Sequence, residues 1–149
     1  MKFDFKKLLL FILVPLSLGA LVGLLTSSNS NVNSIIPPWI FPIVWTILYI
    51  LIAISIYLIY KDNSYKNTPE YNKTLLINYF SNQVFSFLFF TLKSPFLALI
   101  DTVIVLISSL FLYYESKELN KISAKLLIPY IIWNIFAAIL IISIFFMNL

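Results

Sequence analysis

LLIPYIIWNIFAAILIISIFFMNL, Leu126 to Leu149, contains no charged side chain. About 20 apolar residues suffice to cross the roughly 30 Å of a bilayer's hydrocarbon, and a helix satisfies every backbone polar group within such a segment. Three more runs carry no charge: Leu8 to Leu25, Trp39 to Tyr60 and Thr74 to Leu92. Ser94 to Tyr114 holds only Asp101. Little chain is left for a water-soluble unit. The expected fold is an all-α membrane protein, a five-transmembrane-helix bundle forming one domain over residues 1–149. Its spans fall at about 8–25, 39–60, 74–92, 95–114 and 126–147.

Apolar residues make up 61% of the 149 positions and charged residues 11%, against about half and a quarter in soluble domains. The chain has no cysteine, which excludes disulfides, thiolate nucleophiles and thiolate metal sites. It has no histidine either, so the commonest proton shuttle and metal ligand is missing. No cofactor and no metal are expected. A haem-like ligand would have to be held by ring stacking and shape, with Met147 and the tyrosines the only axial ligands left within the spans. Glycine-rich phosphate loops, His–Cys–carboxylate clusters and paired carboxylates within one span are absent as well, which sets aside kinase, hydrolase and metalloenzyme classes. The net charge of +4 rests on lysines at helix ends, so nucleic acid is not an expected partner.

The connectors give the topology. Met1 to Lys7 is a short basic head. A basic head before an apolar run also fits a cleaved signal peptide, but the run to Leu25 exceeds a usual signal core and no A-x-A site follows it. Thr26 to Asn33 (TSSNSNVN) reads as a loop, and Pro37-Pro38 as the entry to the second span. Lys61 to Lys73 is a polar connector. Lys93-Ser94-Pro95 is a tight turn, with Ser94 as N-cap and Pro95 at the first helical position. Glu115 to Lys125 reads as a charged connector, with Pro129 in the first turn of the fifth span. Lys2, Lys6, Lys7, Lys61, Lys66, Lys73, Lys117, Lys121 and Lys125 then share the N-terminal face, and Lys93 stands alone on the other. Nine lysines against one is a positive-inside bias. The N-terminus is expected in the cytoplasm, and the Thr26–Pro38 loop and the C-terminus outside.

Three motifs occur in order across these spans. PPWIFPIVWTILY, Pro37 to Tyr49, resembles the PP-W-x-F-P-x-x-W-T-x-L-Y that opens the second helix of the TspO/MBR family, the tryptophan-rich sensory and translocator proteins. NQVFSFLFF (Asn82 to Phe90) and KSPFLALID (Lys93 to Asp101) resemble the family's N-x-x-W-S-x-x-F-F and A-L-x-D, with Phe85 where tryptophan is usual. LLIPYIIWNIFAAIL, Leu126 to Leu140, resembles L-x-P-Y-x-x-W-x-x-F-A. Two family features are missing. The first outer loop is short and polar, with only Trp39 near it, and Ile141 to Leu149 holds no cholesterol-type tail.

Helical spacing groups the motif residues into stripes. Trp45 and Tyr49 share a face of span two. Asn82, Phe85, Ser86 and Phe89 follow one another at i, i+3, i+4 and i+7 on span three, and Trp133, Phe136, Ala137 and Leu140 do so on span five. Aromatic stripes serve helix packing or face lipid as readily as they line a ligand. Asn82 and Gln83 need partners in hydrocarbon, from a neighbouring helix or from a ligand's polar edge. Asp101 is the only acid inside a span, either functional, a structural acceptor or protonated. Gly19 and Gly23 form GALVG, which permits close approach within the chain or at a homodimer seam. The cholesterol-type patterns Leu51…Tyr57…Lys61 and Leu112…Tyr114…Lys117 are ordinary in a chain this rich in Leu and Tyr.

The family resemblance implies a receptor or translocator that binds a flat hydrophobic ligand, a porphyrin or related tetrapyrrole, in a pocket within the bundle. On that reading Trp45, Tyr49, Phe85, Thr102, Trp133 and Ala137 would line the pocket, while Asn82, Gln83 and Asp101 would orient the ligand. The resemblance also admits photo-oxidative porphyrin breakdown with Trp45 and Trp133 as electron donors, an activity for which three tryptophans and a reduced loop are thin equipment. A structural or regulatory membrane partner is the third reading. The expected location is a bacterial cell membrane, with lipid and the small molecule as partners.

Overall fold

The computed structural model describes residues 6, 9–17, 40–61 and 68–147, and every regular element among them is helical. They form α1 (9–17), α2 (Ile40–Lys61), α3 (Pro69–Ser86), α4 (Pro95–Leu119) and α5 (Lys121–Met147). α3 runs on into a π-helical turn, Phe87–Thr91. Gly19, Gly23, the Thr26–Asn33 loop and Pro37 to Trp39 lie outside the described residues. Among the described residues, three helices are long and apolar enough to cross a membrane: Pro42–Lys61, Pro95–Leu119 and Lys121–Met147. α3 is not among them, because Glu70 and Lys73 occupy its start and Asn78, Ser81, Asn82 and Gln83 its middle.

Three boundaries differ from the sequence expectation, each for a local reason. The third span does not begin at Thr74. Pro69 starts the helix five residues earlier, where a missing N–H costs nothing. The Glu115–Lys125 stretch is not a connector, since Glu, Lys and Leu extend helices well. A single residue, Asn120, separates α4 from α5. Its extended backbone ends α4, and its Oδ1 accepts from the amides of Ile122 at 3.0 Å and Ser123 at 3.1 Å, capping α5. Pro129 consequently lies inside α5 rather than in its first turn, leaving the Lys125 carbonyl without its usual partner. Membrane helices tolerate such a proline where neighbours or water re-satisfy the freed group. The Ser94–Pro95 start of α4 is as read, with Ser94 Oγ accepting from Leu97 N at 3.3 Å.

Packing follows chain order from α3 to α5, with α2 laid against α5. Interhelical bonds fix how the ends meet. The Tyr60 hydroxyl donates to Asn72 at 2.6 Å, and the Thr74 hydroxyl to Glu115 at 3.0 Å. Ser55 and Ser123 each donate to the other's carbonyl, at 3.0 and 2.9 Å. The Phe11 and Tyr60 rings meet at 5.5 Å. The end of α2, the start of α3, the end of α4 and the start of α5 therefore share one end of the bundle. Lys61, Lys73, Lys117, Lys121 and Lys125 all belong to it. Lys93 sits at the opposite end, where Phe96 and Phe145 pair at 6.1 Å.

Ile59, Tyr71, Leu112 and Leu127 form the core beneath the lysine-rich end, and Leu48, Val105 and Tyr130 form a second core farther along. The outward faces are apolar. Phe80 on α3, Phe111 on α4 and Ile139 on α5 are each about 60% exposed, at 63%, 59% and 60%. Surfaces of this kind belong in lipid.

Candidate functional site

The second core gathers the sequence's two interior tryptophans. Trp45 and Trp133 both pack against Leu48, Val105 and Tyr130. Trp45 meets Tyr49 one turn on, centroids 5.3 Å apart, and meets the Tyr130 ring edge-on at 6.4 Å. The spacing of four that placed Trp45 and Tyr49 on one face of α2 thus becomes a ring contact. α3 brings its amides to the same place. Gln83 Nε2 donates to the Tyr49 hydroxyl at 3.2 Å, and Asn82 Nδ2 donates to the Tyr130 hydroxyl. Tyr130 in turn donates to Asn78 Oδ1 at 2.9 Å. Aromatic faces from α2 and α5 and amide edges from α3 converge on one region.

The other expected site residues have contacts of their own. Asp101 lies in the α3–α4 seam, where its Oδ1 accepts the Ser81 hydroxyl, and it is only 6% exposed. Its Oδ2 is buried without a hydrogen-bond partner among the described residues. Thr102 is buried and turns its hydroxyl back onto the Ala98 carbonyl at 2.7 Å. Phe85 stacks on Phe89, rings 5.8 Å apart and 11° from parallel. The π turn adds a residue to the helical repeat just there, so the stripe from Asn82 to Phe89 does not keep α register. Trp133 contacts Phe136 at 5.4 Å, and Ala137 is half-buried beyond it on α5.

Sequence reading missed Asn78, Ser81 and Tyr130. Thr74, Asn78 and Ser81 fall at i, i+4 and i+7 along α3, and all three donate to α4, to Glu115, to Ser108 and to Asp101. Polar residues repeating at helical spacing in an apolar span are a signal for buried partners. Tyr130 was in view only as a motif letter. Two grooves, of about 270 Å³ and 230 Å³, lie on the outer side of α4. Thr74, Ile77 and Ser108 border one, Leu110 and Tyr114 the other, and they share Ile107 and Phe111. No expected ligand residue touches either groove.

The profile of the TspO/MBR family matches residues 11–147. The "Tryptophan-rich protein TspO" of Bacillus cereus is 38% identical over 117 residues, 75% of this chain and 76% of that protein. The "Uncharacterized membrane protein YtaB" of Bacillus subtilis is 38% identical over 107 residues, 72% of this chain and 69% of that protein. The Archaeoglobus fulgidus "Tryptophan-rich protein TspO" is 32% identical over 116 residues, 75% and 72% of the two chains.

Proposed function

The chain belongs to the TspO/MBR family of membrane proteins, and from that premise we propose that it is a receptor or translocator for a flat hydrophobic ligand, a porphyrin or related tetrapyrrole. The observation that carries this reading is the meeting of Trp45, Tyr49 and Tyr130 rings with the Asn82 and Gln83 amides. Stacking on Trp45 and Trp133 supplies affinity, since aromatic pairs add about 0.5–1.5 kcal/mol beyond the area they bury. A few placed polar groups in an otherwise apolar site supply orientation. Phe85, Ala137, Thr102 and Asp101 complete the proposed surroundings. The bundle spans the membrane five times, with the lysine-rich end in the cytoplasm.

Titrating purified protein with protoporphyrin tests this. Tryptophan emission falls saturably, and Trp133→Ala weakens the binding by about tenfold, the equivalent of one aromatic contact. An absence of saturable quenching, or an affinity unchanged in Trp133→Ala, overturns the reading.

A further inference from the structure

α5 meets the basic end of the bundle differently from the helices around it. Lys121 and Lys125 stand four residues apart, both exposed, on one face of its first two turns. No acid follows them anywhere in Lys121–Met147. The neighbouring helices bring a carboxylate with each lysine: Lys73 has Glu70 one turn away on α3, Lys117 has Glu118 beside it on α4, and Asp62 follows Lys61. Glu118 is the acid closest in sequence to Lys121, but it belongs to α4, across the extended Asn120. It stands one turn beyond Glu115, on the side of α4 that Glu115 turns to Thr74 of α3. Uncompensated positive charge is therefore concentrated at the start of α5.

The same face continues into the membrane. Ile128, Ile132, Ile135 and Ile139 follow Lys125 at intervals of three and four, and all four are exposed. From Ile128 to Ile139 the helix rises about 17 Å, close to half of the roughly 30 Å of hydrocarbon and so to the depth of one leaflet. The lysine stems can lie along this apolar face and carry their ammonium groups to the headgroups. Two unpaired ammonium groups four residues apart repel each other. A phosphate between them removes that repulsion, whereas the amine-bearing head of a zwitterionic lipid brings a third positive charge back to it. We propose that this stripe is a binding site for an anionic phospholipid of the leaflet at the basic end, of the phosphatidylglycerol type. One acyl chain lies along the four isoleucines, and the phosphate sits between Lys121 and Lys125. The site does not depend on what the aromatic–amide cluster binds.

Photoactivatable lipids test this. The full-length protein is reconstituted in phosphatidylcholine vesicles containing a trace of phosphatidylglycerol or phosphatidylcholine, each with the same diazirine on one acyl chain, and adducts are located by peptide mass spectrometry. Over Ile128 to Ile139 the phosphatidylglycerol adduct exceeds the phosphatidylcholine adduct about fivefold or more, the gain from one lysine near anionic headgroups. On the α4 stripe of Ile107 and Phe111, which ends at Lys117 beside Glu118, the ratio is near one. Lys121→Gln with Lys125→Gln brings the α5 ratio to near one. Lys61→Gln with Lys73→Gln makes the same change in net charge and leaves that ratio as it was. A wild-type ratio near one on α5, or an equal excess on α4, overturns the proposal. So does an excess that survives Lys121→Gln with Lys125→Gln. An equal loss in Lys61→Gln with Lys73→Gln overturns it too, because the lipid would then answer to the summed charge of the basic end and not to a site.

Discussion

Asp101 shows how much one atom's surroundings decide. Its Oδ1 takes the Ser81 proton while Oδ2 is buried without a partner among the described residues. The side chain therefore acts first as an acceptor that ties α4 to α3. Asp101→Asn keeps that acceptor and is expected to leave thermal stability in detergent within about 1 kcal/mol of wild type. Asp101→Leu strands the Ser81 hydroxyl and is expected to cost about 1–3 kcal/mol, read as a lowered midpoint in a thermal melt. Equal losses in the two variants would mean that the charge, and not the acceptor, matters. Asp101 was legible in the sequence as an oddity in an apolar run. Its partner was not, because Ser81 looks like any small helical residue until α4 is laid beside it. Tyr130 was hidden for the same reason, its importance lying in three contacts from residues 48 to 85 positions away.

At the scale of the helices, charge-free length located α2, α4 and α5 well, and cap chemistry located the start of α4. Two elements were harder. α3 turns its polar stripe inward and leaves Leu76, Ile77, Phe80 and Val84 exposed, so its mean hydropathy understates how apolar its outer face is. The α4–α5 joint was read as a connector because it is charged, yet charge does not end a helix. Asn120 ends α4, and the same side chain caps α5. Asn120→Ala removes the cap and is expected to destabilise the protein by about 1 kcal/mol, with circular dichroism showing little loss of helix at low temperature. A larger stability loss accompanied by a loss of helix would mean that the joint sets the fold and does not merely close it.

For the whole molecule, the lysine arrangement and the packing agree on one basic end. Absence of cysteine makes the orientation directly measurable. Single cysteines at Lys121 and Lys93 can be challenged in intact cells with a membrane-impermeant maleimide. Lys93→Cys is expected to label from outside, and Lys121→Cys only after the membrane is opened; the opposite pattern would invert the bundle. Family membership and the apolar exterior were readable from the motifs and composition alone. The joining of Trp45, Tyr49, Asn82 and Gln83 through Tyr130 was not, because helical spacing orders residues along one helix and says nothing about which helices meet.

That junction is the centre of the account, and a structure of the protein saturated with protoporphyrin examines it most directly. Ring density between Trp45 and Trp133, with its edge at Asn82, is the predicted result. Density confined to the outer grooves of α4 beside Ile107 and Phe111, with the Trp45–Tyr130 contact undisturbed, would contradict it.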